Sequence, residues 1–81
     1  MKSIYQGAYQ DLLEQLIAAR KAQGKTQQQL AERLERPQSF VSKVENGDRR
    51  LDVVEFLDIC RLLKCDPYAL MKRVESRLKR R

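Results

Sequence analysis

The feature that most constrains the fold of this chain is its punctuation. Helix stop and start signals follow one another so closely that no helix can be long. Gly24 stands just before Thr26, and Thr26 has Gln29 three residues on, the pairing of a capping box. Asn46-Gly47 stands before Asp52, which has Glu55 at the same offset. Asp66-Pro67 repeats the signature as a cap followed by proline. Between these signals apolar residues recur at helical spacing, and strand signals are absent. The pattern predicts an all-α chain of five short helices with short connections.

The expected elements can be placed along the chain. Helix 1 runs from about Tyr5 or Ala8 to Gln23, with Tyr9, Leu12, Leu13, Leu16, Ile17 and Arg20 on one face. Gly24 ends it in the left-handed conformation, and Ser3 with Gln6 offers an earlier capping box. Helix 2 follows Thr26 and ends near Leu34 or Glu35. Leu30 and Leu34 point inward, beside a small Ala31 that lets another helix approach. Helix 3 starts at Pro37 or Gln38, because proline suits a first turn whose N–H has no partner. Val41 and Val44 form its buried face, and Asn46-Gly47 ends it with two residues that accept positive φ. Asp52 and Glu55 open helix 4, with Leu51 and Phe56 as a hydrophobic staple. Val53, Phe56, Leu57, Cys60 and Leu63 lie at core spacing along it, and it ends near Lys64. Helix 5 covers about 67–79, with a stripe of Leu70, Met71, Val74 and Leu78.

An 81-residue chain without a linker or repeat reads as one domain spanning 1–81, with one modest core. A formal net charge of +6 favours a polyanionic partner. The chain has no histidine, hence neither the commonest general base nor the commonest metal ligand. Cys60 and Cys65 match no zinc spacing and read as small buried hydrophobes. No nucleophile–base constellation, phosphate loop or metal cluster appears, so neither an enzyme nor a cofactor is expected. No apolar run could span a membrane and no secretory layout opens the chain, so the expected location is cytoplasmic.

The segment from Gln27 to Asn46 carries the functional signal. Two short helices joined by a tight turn, the second opening on polar side chains, make the pattern of a helix-turn-helix DNA reader. The wider segment from about Leu13 to Leu70 resembles the lambda-repressor-like, Cro/C1-type (XRE-family) helix-turn-helix domains. The resemblance rests on Arg20, Gly24-Lys25-Thr26-Gln27, Leu30-Ala31, Leu34, Gln38-Ser39, Val41-Ser42-Lys43, Val44-Glu45-Asn46-Gly47 and Asp66-Pro67. The small size is similar to restriction–modification controller proteins and small phage repressors of this family. Two positions depart from it. Glu35 and Lys64 stand where the family often has glycine, and a left-handed non-glycine residue costs about 1 kcal/mol.

The resemblance implies a five-helix domain with its third helix in the major groove. Position by position, it assigns Gln38, Ser39, Ser42 and Lys43 to base reading. It assigns Gln27, Asn46, Arg49 and Arg50 to phosphates, and pairs Arg20 with Glu45 as an internal salt bridge. The chemistry is compatible. A glutamine amide matches the N7 and N6 edge of adenine, and lysine reaches guanine or a phosphate. Serines are short and can both donate and accept. Gln27 opens helix 2, where the helix dipole favours an anion and its side chain could brace Gln38. Phe40 has two readings, partial core burial or contact with a thymine methyl.

One such unit reads few bases, so a homodimer on a palindromic operator is expected. Met71, Val74 and Leu78 on helix 5 are the candidate pairing face, unless they only cover the core of their own chain. The leading expectation is a sequence-specific transcriptional regulator. The alternative is an antitoxin-type module that binds a toxin partner and its own promoter. Charge alone would also permit a non-specific nucleic-acid binder. The basic tail from Lys79 could add phosphate contacts.

Overall fold

A computed structural model describes residues 6–79. Among these residues it contains five α-helices and no strand: α1 (Gln6–Ala22), α2 (Gln27–Leu34), α3 (Gln38–Glu45), α4 (Val53–Leu63) and α5 (Pro67–Lys79). The expected Ser3 cap, and Arg80 and Arg81 of the basic tail, lie outside the described residues. No helix among those described is long and apolar enough to cross a membrane.

The helix starts follow the cap chemistry. Gln29 N–H donates to Thr26 Oγ1 at 3.0 Å, and Thr26 N–H donates back to Gln29 Oε1 at 2.9 Å. Asp52 and Glu55 close the same reciprocal box at 2.7 and 3.0 Å. The Asp66 carboxylate accepts from Tyr68 N–H, at the second residue of α5, at 2.9 Å. Each box satisfies N–H groups that a helix start leaves without a partner.

The ends of α1 to α4 share one device. Gly24, Glu35, Gly47 and Lys64 adopt left-handed φ values of 68°, 57°, 82° and 56°. Each donates its N–H to a carbonyl three residues back, and the next residue donates to a carbonyl five back. This is the Schellman pair, which satisfies carbonyls at a helix end. Sharp helix ends allow short connections, and short connections hold α2 and α3 as one hairpin. The expectation of two positive-φ residues after α3 is corrected in one respect. Asn46 stays helical at φ −79°, and Gly47 alone turns.

The core is a single cluster fed by α1 to α4. Leu13 and Leu16 of α1 meet Leu30 and Ala31 of α2, then Phe40, Val41 and Val44 of α3. Phe56, Ile59, Cys60, Leu62 and Leu63 of α4 complete it. Here the expected α4 face needs correction. Val53 and Leu57 are 68% and 38% exposed, while Ile59 and Leu62 are buried. The buried stripe centres on Cys60, which turns Leu57 to the rim and leaves Val53 at the exposed first position of the helix. Cys60 and Cys65 are free thiols. Burial, reinforced by the neighbouring Cys65, pushes the Cys60 thiol up to about 12, so it packs as an apolar group.

Helix α5 has no fully buried residue. It lies on α1 and is fixed there by ion pairs. Arg73 Nε and Nη2 donate to the two oxygens of the buried Asp11 at 2.7 and 3.2 Å. Arg77 approaches the same carboxylate at 3.6 Å.

Two of the four Schellman turns therefore carry a side chain in a glycine conformation. Glu35→Gly and Lys64→Gly should each stabilise the fold by about 0.5–1 kcal/mol, the relief of left-handed strain less the entropy glycine adds to the unfolded chain. Urea unfolding with an unchanged m-value is the check; a loss of stability at either position would contradict the strain assignment.

Candidate nucleic-acid interface

Helix α3 has two unlike faces. Phe40, Val41 and Val44 are buried against the core. Gln38, Ser39 and Lys43 are exposed, and Ser42 sits half-buried at the flank. The helix therefore rests on an apolar row and presents a polar one. Pro37 occupies the N-cap position and offers no side-chain cap, so the polar residues begin immediately after the turn. The four proposed base readers share this one eight-residue helix.

A buried ion pair holds the far end of α3. Arg20 Nε donates to Glu45 Oε2 at 2.8 Å, and Nη2 donates to Oε1 at 3.1 Å. The remaining arm, Nη1, donates to the Lys25 carbonyl at 2.8 Å. Both side chains are only 11% exposed. The geometry is that of a bidentate fork, which fixes orientation as well as separation. Glu45 also accepts from Gln27 Nε2 at 2.9 Å. One carboxylate thus joins the end of α1, the start of α2 and the end of α3. The sequence suggested that the Gln27 side chain could brace Gln38; the structure instead has its amide donating to Glu45.

The near end of α3 is held differently. Phe40 is buried beneath two guanidinium groups, Arg36 at 4.0 Å and Arg49 at 4.8 Å from the ring centroid. Core burial is the reading that holds for Phe40, which leaves it no exposed face for a thymine methyl. Arg49 grips Glu55 through two bonds of 2.8 and 2.9 Å and donates to the Arg50 carbonyl at 2.8 Å. That hydrogen bond to Glu55 raises the Arg49 pKa, and the bond from Arg49, aided by the Asp52 N–H, holds Glu55 below its usual range. Arg50 lies over the Tyr9 ring at 4.4 Å, and the Tyr9 hydroxyl accepts from Leu51 N–H at 3.2 Å. Asn46 is exposed beside this loop. The candidate phosphate residues Asn46, Arg49 and Arg50 therefore follow α3 on one short loop, with both arginines already oriented by aromatic rings.

A helix-turn-helix family model matches residues 16–70. The chain belongs to the XRE family of helix-turn-helix proteins. An XRE-family-like protein from Pseudomonas syringae pv. tomato strain DC3000 is similar across 90% of this chain and 89% of its own, at 57% identity and a TM-score of 0.84. No curated protein matches. The matched XRE segment runs from the middle of α1 to the first turn of α5, so it takes in both anchors of α3.

Two contributors escaped the sequence reading of this XRE chain. Glu55 was legible as a capping residue, but its grip on Arg49 joins the α3–α4 loop to α4, a link that cap spacing does not encode. Arg36 was passed over because a lone arginine in a turn carries no periodic signal. Among the described residues, no group of three or more Cys, Asp or Glu is arranged to hold a metal.

Arg20→Ala would leave Glu45 nearly buried with only Gln27 to satisfy it. We expect a loss of about 3 kcal/mol in folding stability, larger than the accompanying loss of DNA discrimination. Melting and DNA titration on the same samples measure both; an unchanged melt removes the anchor role. Glu55 predicts an acid response. Its folded pKa lies below the ordinary 4.5, so its stabilisation is complete above that value and is lost as pH falls through the folded pKa. Glu55→Gln should be less stable than the parent at neutral pH, and the two should converge in acid. A gap that does not narrow with falling pH would sink this account.

Proposed function

We propose that this protein is a sequence-specific DNA-binding regulator of transcription that acts as a homodimer on a palindromic operator, with α3 in the major groove. The observation that carries the reading is the division of α3, whose polar row of Gln38, Ser39 and Lys43 is exposed while its apolar row is locked into the core. An exposed polar row on a rigid short helix suits base-edge recognition. Gln38 is suited to adenine, and Lys43 to guanine or a phosphate. Gln27, Asn46, Arg49 and Arg50 flank that helix and suit the sugar–phosphate strand, which fixes register without reading sequence.

The pairing face is α5. Met71 is exposed and Val74 is half-buried, and both line a groove with Tyr9, Leu12, Leu51 and Val53. Leu78 is half-buried further along the same helix. An exposed apolar face of this kind favours a second copy, and two copies would present two recognition helices to one operator.

The test is binding to DNA from just upstream of the protein's own gene against scrambled DNA of equal length, at physiological salt. We expect a preference of about 10³-fold or more, with a footprint of two-fold symmetry. Gln38→Ala should cost about 1–3 kcal/mol of that discrimination without altering the melt. Sedimentation should show dimers at micromolar concentration. Equal, salt-sensitive binding to both duplexes would leave a non-specific binder. A second protein co-purifying with a chain that ignores DNA would favour the antitoxin-type reading.

A further inference from the structure

We infer that Arg36 is a further DNA-backbone contact, held beside the recognition helix by the Phe40 ring and the Glu55 carboxylate; this deepens the DNA-binding reading above and rests on it. Arg36 lies in the α2–α3 turn, two residues ahead of Gln38. Its guanidinium stacks 4.0 Å from the centroid of a ring that is itself buried in α3. A stacked guanidinium has its face against the aromatic and its N–H donors in its own plane, the arrangement that meets a phosphate edge-on.

The carboxylate beside it is already engaged. Glu55 Oε1 accepts from Arg49 at 2.8 Å and from Asp52 N–H at 3.0 Å, and Oε2 accepts from Arg49 at 2.9 Å. Arg36 approaches Oε2 only to 3.6 Å, too far for a hydrogen bond. Among the described residues the Arg36 guanidinium makes no hydrogen bond, and its side chain is 41% exposed. Two guanidinium groups thus share one ring and one carboxylate, which leaves a positive excess at this edge of α3. Of the charged residues that line the same groove as Arg36, Asp58 and Arg61 pair with each other at 2.8 Å and so do not offset it. Arg36 shares its surface with Val54, Glu55 and Leu57 of α4, and its contact with the Phe40 ring sets it beside the first turn of α3, at that helix's flank. For a helix in the major groove, the flank meets the strand bordering the groove, not the base edges.

The experiment measures salt-dependent binding of the full chain to scrambled duplex DNA, so that no operator need be known, and repeats it on the upstream duplex. Arg36→Ala should lower the slope of log affinity against log salt by about one and weaken both duplexes by the same factor, with only a small loss in the melt because Arg49 still covers the Phe40 ring. Arg36→Lys keeps a charge but has no flat face to stack, so it should keep the slope while binding more weakly. Lys72→Ala on α5 removes the same formal charge elsewhere and should bind as the parent does. A parental slope in Arg36→Ala, or an equal loss in Lys72→Ala, would overturn the inference while leaving DNA binding intact. A loss confined to the upstream duplex would make Arg36 a base reader and overturn it equally. A parent chain that binds neither duplex would overturn the DNA-binding reading itself, and the inference with it.

Discussion

The Glu45 carboxylate is the point on which the arrangement of α1, α2 and α3 depends. It accepts two bonds from Arg20 and one from Gln27, while the third arm of Arg20 takes the Lys25 carbonyl. An apolar core sets how close helices come, but it is tolerant of sliding and rotation among similar shapes. A bidentate fork is not tolerant, because its hydrogen bonds fail when the planes tilt. The core therefore supplies cohesion, and the Arg20–Glu45 pair selects one packing angle from those the core would accept. Gln27 extends that selection to the first residue of α2, which is where the helix hairpin meets the rest of the chain.

The same device recurs with different partners. Among the described residues, Asp11 holds Arg73 and Arg77, Glu45 holds Arg20, and Glu55 holds Arg49 with Arg36 nearby. Asp11 and Glu45 join elements distant in sequence, Glu55 ties α4 to the loop that precedes it, and each is more buried than the exposed pair of Asp58 and Arg61. An exposed pair of that kind contributes little to stability. The cross-linking carboxylates do more, because they replace apolar contact where the core is thin. This is clearest for α5, which buries no residue fully yet is fixed to α1 through Asp11. The device also shapes the field. Three carboxylates meet five arginines, so even the paired clusters carry net positive charge, consistent with a chain of formal charge +6.

What the sequence made legible follows from the range of each interaction. Caps and Schellman ends are local, decided within six residues, and Thr26, Asp52 and Asp66 each opened a helix where their spacing said. The left-handed turns at Glu35 and Lys64 were legible only through the family resemblance, which marks both as positions where glycine is usual. The face of α4 was less so. Its first turn offers apolar residues on several sides, and only the packing of α1 to α3 decides that Ile59 and Leu62 turn inward while Val53 and Leu57 do not. The remaining class is the side-chain pairings, most of them between residues 18 or more apart. Arg20 with Glu45 came from family resemblance. Gln27 with Glu45 and Arg49 with Glu55 came from neither spacing nor resemblance, because a surface glutamine or arginine has many possible partners until the fold removes most of them.

Helix α3, the proposed recognition helix, shows why both kinds of interaction are needed. At eight residues α3 is too short to be stable alone in water. Its middle is held by Val41 and Val44, but two apolar side chains one turn apart leave a short rod free to rock along its length. The two ends remove that freedom. Phe40 is clamped between the core and the Arg36 and Arg49 guanidinium groups at the start, and Glu45 is clamped by Arg20 and Gln27 at the finish. Gln38 and Lys43 are themselves exposed, and they inherit their position from those anchors. A base contact is worth most when its side chain need not be ordered on binding. On the proposed reading, the discrimination available to this surface would be set as much by the buried anchors Glu45 and Phe40 as by the residues proposed to touch DNA.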